Sequence, residues 1–344
     1  MRSNDGSERA VRVGVAGATG AVGQEIVKCL ERRRFPVKEL RLLASPRSAG
    51  STLAFRGESK RVEVLTAESL RDLDVALFSA GGSVSLEFAP VAVRAGAVVV
   101  DNSSAFRMNP DVPLVVPEIN AEAIAQHRGI ISNPNCSAII AITPLWPLHR
   151  RFQMRRMVVS TYQAASGAGA AAMQELIEST RAHLEGKPYV QRVLPHPYAF
   201  NLFSHNSAID ANTGYNGEES KVIAETRKIF GEPDLLISAT CVRVPVLRAH
   251  AVSLNVEFKL PFEVAEVREI LSSAPGVKVV DDWGNNVFPM PIEASERDEI
   301  LVGRICKDIS DPSGRSLCLF SAGDQLLKGA ALNAVQIAER LLAT

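Results

Sequence analysis

Gly14, Gly17, Gly20 and Gly23 recur every third residue where a short apolar run gives way to helical spacing, and this junction constrains the fold more than any other stretch. Val11 to Ala16 is the kind of apolar run shown by a parallel strand buried on both faces. Residues 21–33 place Val22, Ile26, Val27 and Leu30 at the spacing of an amphipathic helix. Strand, glycine turn, helix is the opening of a doubly wound α/β sheet. Glycine lets the backbone turn tightly and approach a pyrophosphate, and the following helix offers amide groups and the positive end of its dipole. The spacing departs from the strict Gly-x-Gly-x-x-Gly pattern, so its weight comes from its place between strand and helix.

Further strands are predicted over residues 40–44, 75–79, 97–100 and 129–132, with a helix over 85–95. Beyond residue 150 the texture changes to longer strand candidates at 154–162, 237–244, 251–258 and 300–306, separated by extended loops. At 344 residues the chain is long for one core. The pattern predicts a Rossmann-type doubly wound domain over 11–136, completed by a C-terminal segment 324–344, and an α+β domain with a mixed sheet over 137–323. The closing amphipathic stretch 325–342 reads as a helix able to pack back on the first domain.

Thirty-eight basic residues balance thirty-eight acidic ones, which removes the broad positive field expected of a nucleic-acid binder. Five scattered cysteines, none in a Cys-x-x-Cys arrangement, argue against a disulfide framework and a structural zinc, and no metal is expected. A reducing cytoplasm or organelle stroma is the natural compartment. Residues 1–10 are polar and read as a disordered tail. The longest apolar stretch, 138–148, is too short to span a bilayer and contains Pro144 and Pro147, so no membrane association is expected.

An NAD enzyme usually places an acid on the ribose hydroxyls about twenty residues past the glycine turn. Here the second strand ends in Leu43-Ala44-Ser45-Pro46-Arg47-Ser48, without an acid. Ser45, Arg47 and Ser48 suit a 2′-phosphate, which points to NADP; a solvated loop cation is the alternative for Arg47. Cys136 stands in Ser132-Asn133-Pro134-Asn135-Cys136-Ser137, where a strand passes into an apolar helix. Amides and dipole at such a helix start favour the thiolate, although most cysteines without a disulfide are small buried hydrophobes. Downstream, Gln163 with the Ser166-Gly167-Ala168-Gly169 turn could orient a carbonyl and touch a cofactor ring. Arg243 offers two parallel donors to a carboxylate, and His250 an imidazole for proton transfer. Taken singly, His250 reads as an ordinary histidine, Glu218 and Lys221 as a helix-capping run, and Arg107 as a loop arginine.

In order, Gly17-Ala18-Thr19-Gly20-Ala21-Val22-Gly23, Asn133-Pro134-Asn135-Cys136, Tyr162-Gln163 with Ser166-Gly167-Ala168-Gly169, and Arg243-Val244-Pro245 leading to His250 resemble the aspartate-semialdehyde dehydrogenase family over nearly the whole chain. The resemblance implies NADPH-dependent reductive dephosphorylation of L-aspartyl 4-phosphate in the biosynthesis of lysine, threonine and methionine. It implies that Cys136 is the acylated nucleophile, Gln163 orients the substrate, Arg243 holds its α-carboxylate and His250 is the acid/base. It further implies that Arg107 and Lys221 bind phosphate and that Glu218, or the adjacent Glu219, meets the substrate ammonium. Thr19, Ala21 and Val22 in the glycine turn, with Gln325 and Asn333 near the C-terminus, are implied to reach the cofactor. The second domain is implied to build a homodimer or homotetramer.

N-acetyl-γ-glutamyl-phosphate reductase shares the chemistry, but its cysteine usually stands in Asn-Pro-Gly-Cys-Tyr, unlike Asn135-Cys136-Ser137 here. A short-chain reductase needs Tyr-x-x-x-Lys, and none of Tyr162, Tyr189, Tyr198 and Tyr215 has lysine four residues on. A non-catalytic NADP-binding regulator would need none of Cys136, Gln163, Arg243 and His250.

Overall fold

A computed structural model describes residues 10–343, and the chain divides into two compact units. The polar tail expected over residues 1–10 lies outside the described residues except for Ala10. The first unit holds the described residues up to Pro117, then Ala121–Asn133, and the chain from Ala331 on; the second holds Glu118–Asn120 and Pro134–Ala330.

In the first unit, β1 (Val11–Ala16), α1 (Ala21–Arg32), β2 (Val37–Ala44), β3 (Thr52–Phe55), β4 (Glu58–Val64), β5 (Val75–Phe78), α2 (Gly82–Arg94), β6 (Val98–Asp101) and β7 (Ile130–Ser132) build a seven-stranded sheet in the order β3-β4-β2-β1-β5-β6-β7. All neighbouring pairs run parallel except β3 with β4. β1 has β2 on one side and β5 on the other, so the winding reverses there, and the carboxyl ends of such strands open a crevice for ligands. The turn after β1 is tied to the end of β2 by Gly17 N–H and Ala18 N–H, which both donate to Leu43 O at 2.8 and 3.1 Å. The β3–β4 hairpin was not foreseen, because β4 reads Glu-Ser-Lys-Arg-Val-Glu-Val and only Val62 of it is buried. A strand that polar looks like a surface loop in sequence.

A one-turn helix α3 (Pro117–Asn120) dips into the second unit before the chain returns for β7; in the second unit α4 (Cys136–Phe152), α5 (Ala170–Leu184), α6 (Gly217–Phe230), α7 (Val264–Ser273) and the short α8 (Pro291–Ala294) accompany seven strands. These strands are β8 (Met154–Gln163), β9 (Phe203–Ser204), β10 (Leu236–Arg243), β11 (His250–Phe258), β12 (Val277–Val279), β13 (Ile300–Lys307) and β14 (Ser316–Gly323). Their order is β12-β13-β14-β11-β8-β10-β9, with β8–β10 and β12–β13 parallel and the rest antiparallel, the expected mixed sheet. α4 carries the apolar stretch 138–148 and runs through Pro144 and Pro147 without ending, nearly all of it buried. Among the described residues no helix is long and apolar enough to cross a membrane.

Two details depart from the sequence reading. The closing helix α9 (Leu332–Ala343) begins later than residue 325, preceded by a π-helical turn at Leu327–Ala331. α9 belongs to the first unit, where Glu339 takes a two-pronged ion pair from Arg33 at 2.6 and 2.7 Å. The chain also changes unit after Asn133 and after Ala330, a few residues from the expected 136 and 324. Hydrogen bonds account for both shifts. Asn135 is bonded to Glu218 and Glu225, while Asp324 is bonded to Arg248 and to Glu296 N–H, all within the second unit.

Gly23 is where helix and turn approach most closely: a Cβ there would stand 2.1 Å from Gly17 O and 2.8 Å from Ala18 Cα. Both are backbone atoms, so no side chain can yield. Gly23→Ala is expected to cost about 1–3 kcal/mol in urea unfolding, as overpacking does. Gly82→Ala, with open space around its Cβ, should stay within about 1 kcal/mol of the parent. Equal stabilities for the two variants would contradict this packing.

Candidate active site

In the second unit Cys136 is the first residue of α4 and is partly exposed. Asn135 caps that helix, its Oδ1 accepting from Ser137 N–H at 2.9 Å and Ala138 N–H at 3.1 Å. The cysteine thus occupies the first turn, beside the positive end of the helix dipole, where a thiolate is favoured. Gly329 lies against it: a Cβ at 329 would come within 2.8 Å of Cys136 Cβ. π-helical turns such as Leu327–Ala331 are frequent where a functional group needs room.

The residues on either side of Cys136 tie it to a buried polar cluster. Gln163, at the end of β8, donates from Nε2 to Ser137 Oγ at 2.7 Å and to Glu218 Oε1 at 3.3 Å. Asn135 Nδ2 donates to the same Glu218 oxygen at 2.8 Å, and its N–H to Glu225 Oε2 at 2.6 Å. Glu218 stands in the first turn of α6, and Lys221 Nζ reaches its Oε2 at 3.4 Å. Burial opposes charge on Glu218, yet His205, Lys221 and the bonds from Asn135 and Gln163 outweigh it and lower the carboxyl to about 2. Its neighbour is spent on structure. Glu219 accepts from Asn216 N–H at 2.8 Å in a capping box and from Cys241 N–H at 2.9 Å. Of the two acids, Glu218 is therefore the one that faces the cluster.

Arg243 ends β10 and is 5% exposed. Its Nη1 donates to Ala164 O at 3.2 Å and its Nη2 to His205 Nε2 at 2.9 Å, while Nε is buried without a partner. No carboxylate among the described residues lies within ion-pair distance of it. His250 begins β11, is fully buried, and accepts at Nδ1 from Ala164 N–H at 3.0 Å. Its proton therefore sits on Nε2, which is also buried and unpartnered. Burial, reinforced by the Arg243 charge, depresses His250 to about 3, so the ring is neutral at pH 7. Gly167 passes between them, since a Cβ there would lie 2.9 Å from His250 Cε1 and 3.1 Å from Arg243 Nη1. Buried donors rarely go unsatisfied in folded proteins. Two go unsatisfied here, one of them on a guanidinium lacking a counter-ion, and acceptor oxygens of an anionic ligand would satisfy such donors.

Gln325 and Ser166, both buried, are hydrogen-bonded to each other, and Gln325 Oε1 also accepts from Ala249 N–H at 2.9 Å. In the first unit Asn333 is fully buried, its amide donating to Val115 O at 3.0 Å and to Asn133 Oδ1 at 2.7 Å, so it braces the start of the Cys136 motif. Arg107 is likewise buried and donates to Asn133 O at 2.9 Å and Asn102 O at 2.8 Å. α1 has no side-chain cap and no acid in its first turn, Gly17 adopts φ +81°, and Gly20 is the cap residue. Thr19, Ala21 and Val22 are partly exposed around it, open to a phosphate. Ser45 and Arg47 are exposed on the turn closed by Ser48 N–H to Ser45 O at 2.9 Å, next to the glycine turn at the end of β2.

Two family models match, the semialdehyde dehydrogenase NAD binding domain over residues 12–127 and the semialdehyde dehydrogenase dimerisation domain over 145–328. An aspartate-semialdehyde dehydrogenase of Synechocystis sp. is 55% identical over 332 residues, covering 96% of this chain and 97% of its own. The chain belongs to the aspartate-semialdehyde dehydrogenase family. A family member of Bacillus subtilis is 44% identical over 341 residues, 97% of this chain and 98% of its own. The crystal structure of aspartate semialdehyde dehydrogenase II from Vibrio cholerae, complexed with ASA, superposes with a TM-score of 0.93 at 41% identity over 97% of this chain and 99% of that one. A Candida albicans aspartate semialdehyde dehydrogenase with NADP, 24% identical, shares the fold at a TM-score of 0.74 over 97% of this chain and 98% of its own.

Sequence reading did not find Asn135 as helix cap, Glu225 as its second anchor, Gly329 against the cysteine, or His205 against Arg243. Asn135 alone carried a local signal, an Asn one residue before a helix start. The others act across distant segments and leave no spacing to recognise.

The buried histidine gives the second unit a defined acid sensitivity. With a folded pKa of about 3 against an unfolded value near 6.5, only the unfolded chain binds the His250 proton between those limits. Stability from this group is thus complete above pH 6.5 and falls on acidification towards pH 3, by about 1.4 kcal/mol per pH unit. His250→Asn should lessen the slope of unfolding free energy between pH 6 and 5 by about that amount. Urea titrations with identical slopes for parent and variant would mean that His250 does not resist protonation.

Proposed function

We propose that the chain is an NADP-dependent aspartate-semialdehyde dehydrogenase that converts L-aspartyl 4-phosphate to L-aspartate 4-semialdehyde, a step in amino-acid biosynthesis, through a thioester on Cys136. The observation that carries this reading is the presence in one unit of an ionised, buried Glu218, in the cluster bonded to both neighbours of Cys136, and of a buried Arg243 lacking a counter-ion. An α-amino acid head group supplies the opposite charges, an ammonium for Glu218 and a carboxylate for Arg243.

The Cys136 thiolate attacks the acyl carbon, and inorganic phosphate leaves with the electrons of the broken C–O bond. Lys221, and Arg107 in the first unit, are the cations proposed for that phosphate. Gln163 orients the acyl group, and the first amides of α4 face the negative charge that develops on its oxygen. A bound nicotinamide supplies the hydride that reduces the thioester. His250, the proposed acid/base, holds its proton on Nε2, from which it can hydrogen-bond the oxyanion left by hydride addition; collapse re-forms the carbonyl as the aldehyde and expels the Cys136 thiolate. The cradle for the dinucleotide fits Gly17, Thr19, Gly20, Ala21, Val22 and Gly23 at the uncapped start of α1. Ser45, Arg47 and Ser48 suit a 2′-phosphate, so NADP is preferred over NAD. Ser166 and Gly167 are proposed near the nicotinamide, and Gln325 and Asn333 are proposed to reach the cofactor. The match to a dimerisation domain supports a homodimer or homotetramer as the assembly.

The assay is phosphate-dependent reduction of NADP with aspartate semialdehyde, run beside N-acetylglutamate semialdehyde, which lacks the ammonium. Turnover of the first, strongly preferred over the second, is expected, and Cys136→Ala should abolish it while NADP binding persists. Residual turnover in that variant would remove the thioester from the mechanism; equal use of both aldehydes would overturn the substrate.

Arg47→Ala tests the cofactor. Loss of a charge-assisted contact should weaken NADPH binding by about 1.5–3 kcal/mol in titration calorimetry and leave NADH nearly unchanged. Equal losses would place the 2′-phosphate elsewhere.

A further inference from the structure

We propose that His205 is a positioning residue for substrate recognition, holding Arg243 so that one edge of its guanidinium meets the α-carboxylate and linking it to the helix start that carries Glu218. The inference rests on the reading that Arg243 receives the α-carboxylate.

His205 follows β9 and is pinned by its N–H to Cys241 O at 2.8 Å, two residues before Arg243. A guanidinium can only donate, so at the 2.9 Å contact with Arg243 Nη2 the His205 Nε2 must accept. The ring proton then sits on Nδ1 and points to Ser207 Oγ at 3.1 Å; Ser207 N–H also approaches this nitrogen at 3.3 Å, and the shorter contact from the donor-only guanidinium decides the tautomer. Ser207 Oγ–H can pass the direction on to Asn216 Oδ1 at 3.3 Å, while the same hydroxyl oxygen accepts from Glu218 N–H at 3.0 Å. One donor-to-acceptor chain thus leads from Arg243 through His205 and Ser207 Oγ to Asn216, the cap of α6. Glu218, Arg243 and Lys221 are the charged groups around His205, and burial with the Arg243 charge outweighs Glu218 to keep the ring neutral near pH 7.

Arg243 Nη2 carries two hydrogens. One is taken by His205, which leaves the other Nη2 hydrogen and the unpartnered Nε–H as the donors available to a carboxylate. Ala164 O holds Nη1 from the far side. Without His205 the guanidinium loses the acceptor that fixes its plane, and its free edge is no longer aimed.

The test compares aspartate semialdehyde with 3-aminopropanal, which lacks the carboxylate, in parent, His205→Ala, His205→Gln and Arg243→Ala. His205→Ala should raise KM for aspartate semialdehyde about tenfold with little change in kcat, and leave kcat/KM for 3-aminopropanal unaltered. His205→Gln, whose amide oxygen can accept in place of Nε2, should restore most of the loss. Equal losses on both aldehydes, or no rescue by glutamine, would overturn the positioning role. If Arg243→Ala raises KM and His205→Ala does not, this inference falls and the proposed function stands. If Arg243→Ala leaves KM unchanged, the carboxylate reading itself falls.

Discussion

Asn135 is bonded in three directions at once, and the arrangement around Cys136 depends on it. Its Oδ1 caps α4, its Nδ2 holds Glu218, and its own N–H is anchored on Glu225. The cap alone is worth about 1 kcal/mol in a typical helix. Here it also fixes where the helix begins relative to the acid of α6. Cys136 follows with no freedom to choose another turn, because Ser137 is held in turn by Gln163.

The charges near this point are expensive to bury, and the way they are supported indicates what they await. Glu218 is well compensated: two amide donors and Lys221 surround its oxygens. Because His205 is neutral near pH 7, Lys221 and the amides carry that support there. Arg243 is compensated only by neutral acceptors, Ala164 O and His205 Nε2. A desolvated cation without a counter-ion is destabilising in the free protein. The same arrangement is preorganised for an anion, since no protein carboxylate has to be displaced when one arrives.

The alternation of strand and helix and the glycine turn were legible because apolar spacing is a local signal; β1 is found at Val11–Ala16, as read. The strand-to-helix passage before Cys136 was legible for the same reason. The β3–β4 hairpin was not, since charged residues carry its pairing, and the late start of α9 was hidden because Gly329 responds to Cys136, nearly two hundred residues away in the chain. Likewise the choice between Glu218 and Glu219 was open in sequence. Adjacent acids in one helical turn look alike until one is seen closing a capping box and the other facing Asn135 and Gln163. His205 had no local mark at all, since its partner lies 38 residues on.

The placement of His250 shows how backbone strain and a side-chain bond combine to set one proton. Ala249 adopts φ +69°, a conformation that costs a non-glycine residue about 1 kcal/mol or more. Its N–H is held there by Gln325 Oε1, and Gln325 is in turn bonded to Ser166. The kink fixes where β11 starts, and so brings His250 Nδ1 under Ala164 N–H. That backbone donor leaves only one tautomer for a neutral ring, with hydrogen on Nε2. The strand register, through a strained alanine, thereby selects which nitrogen carries the proton.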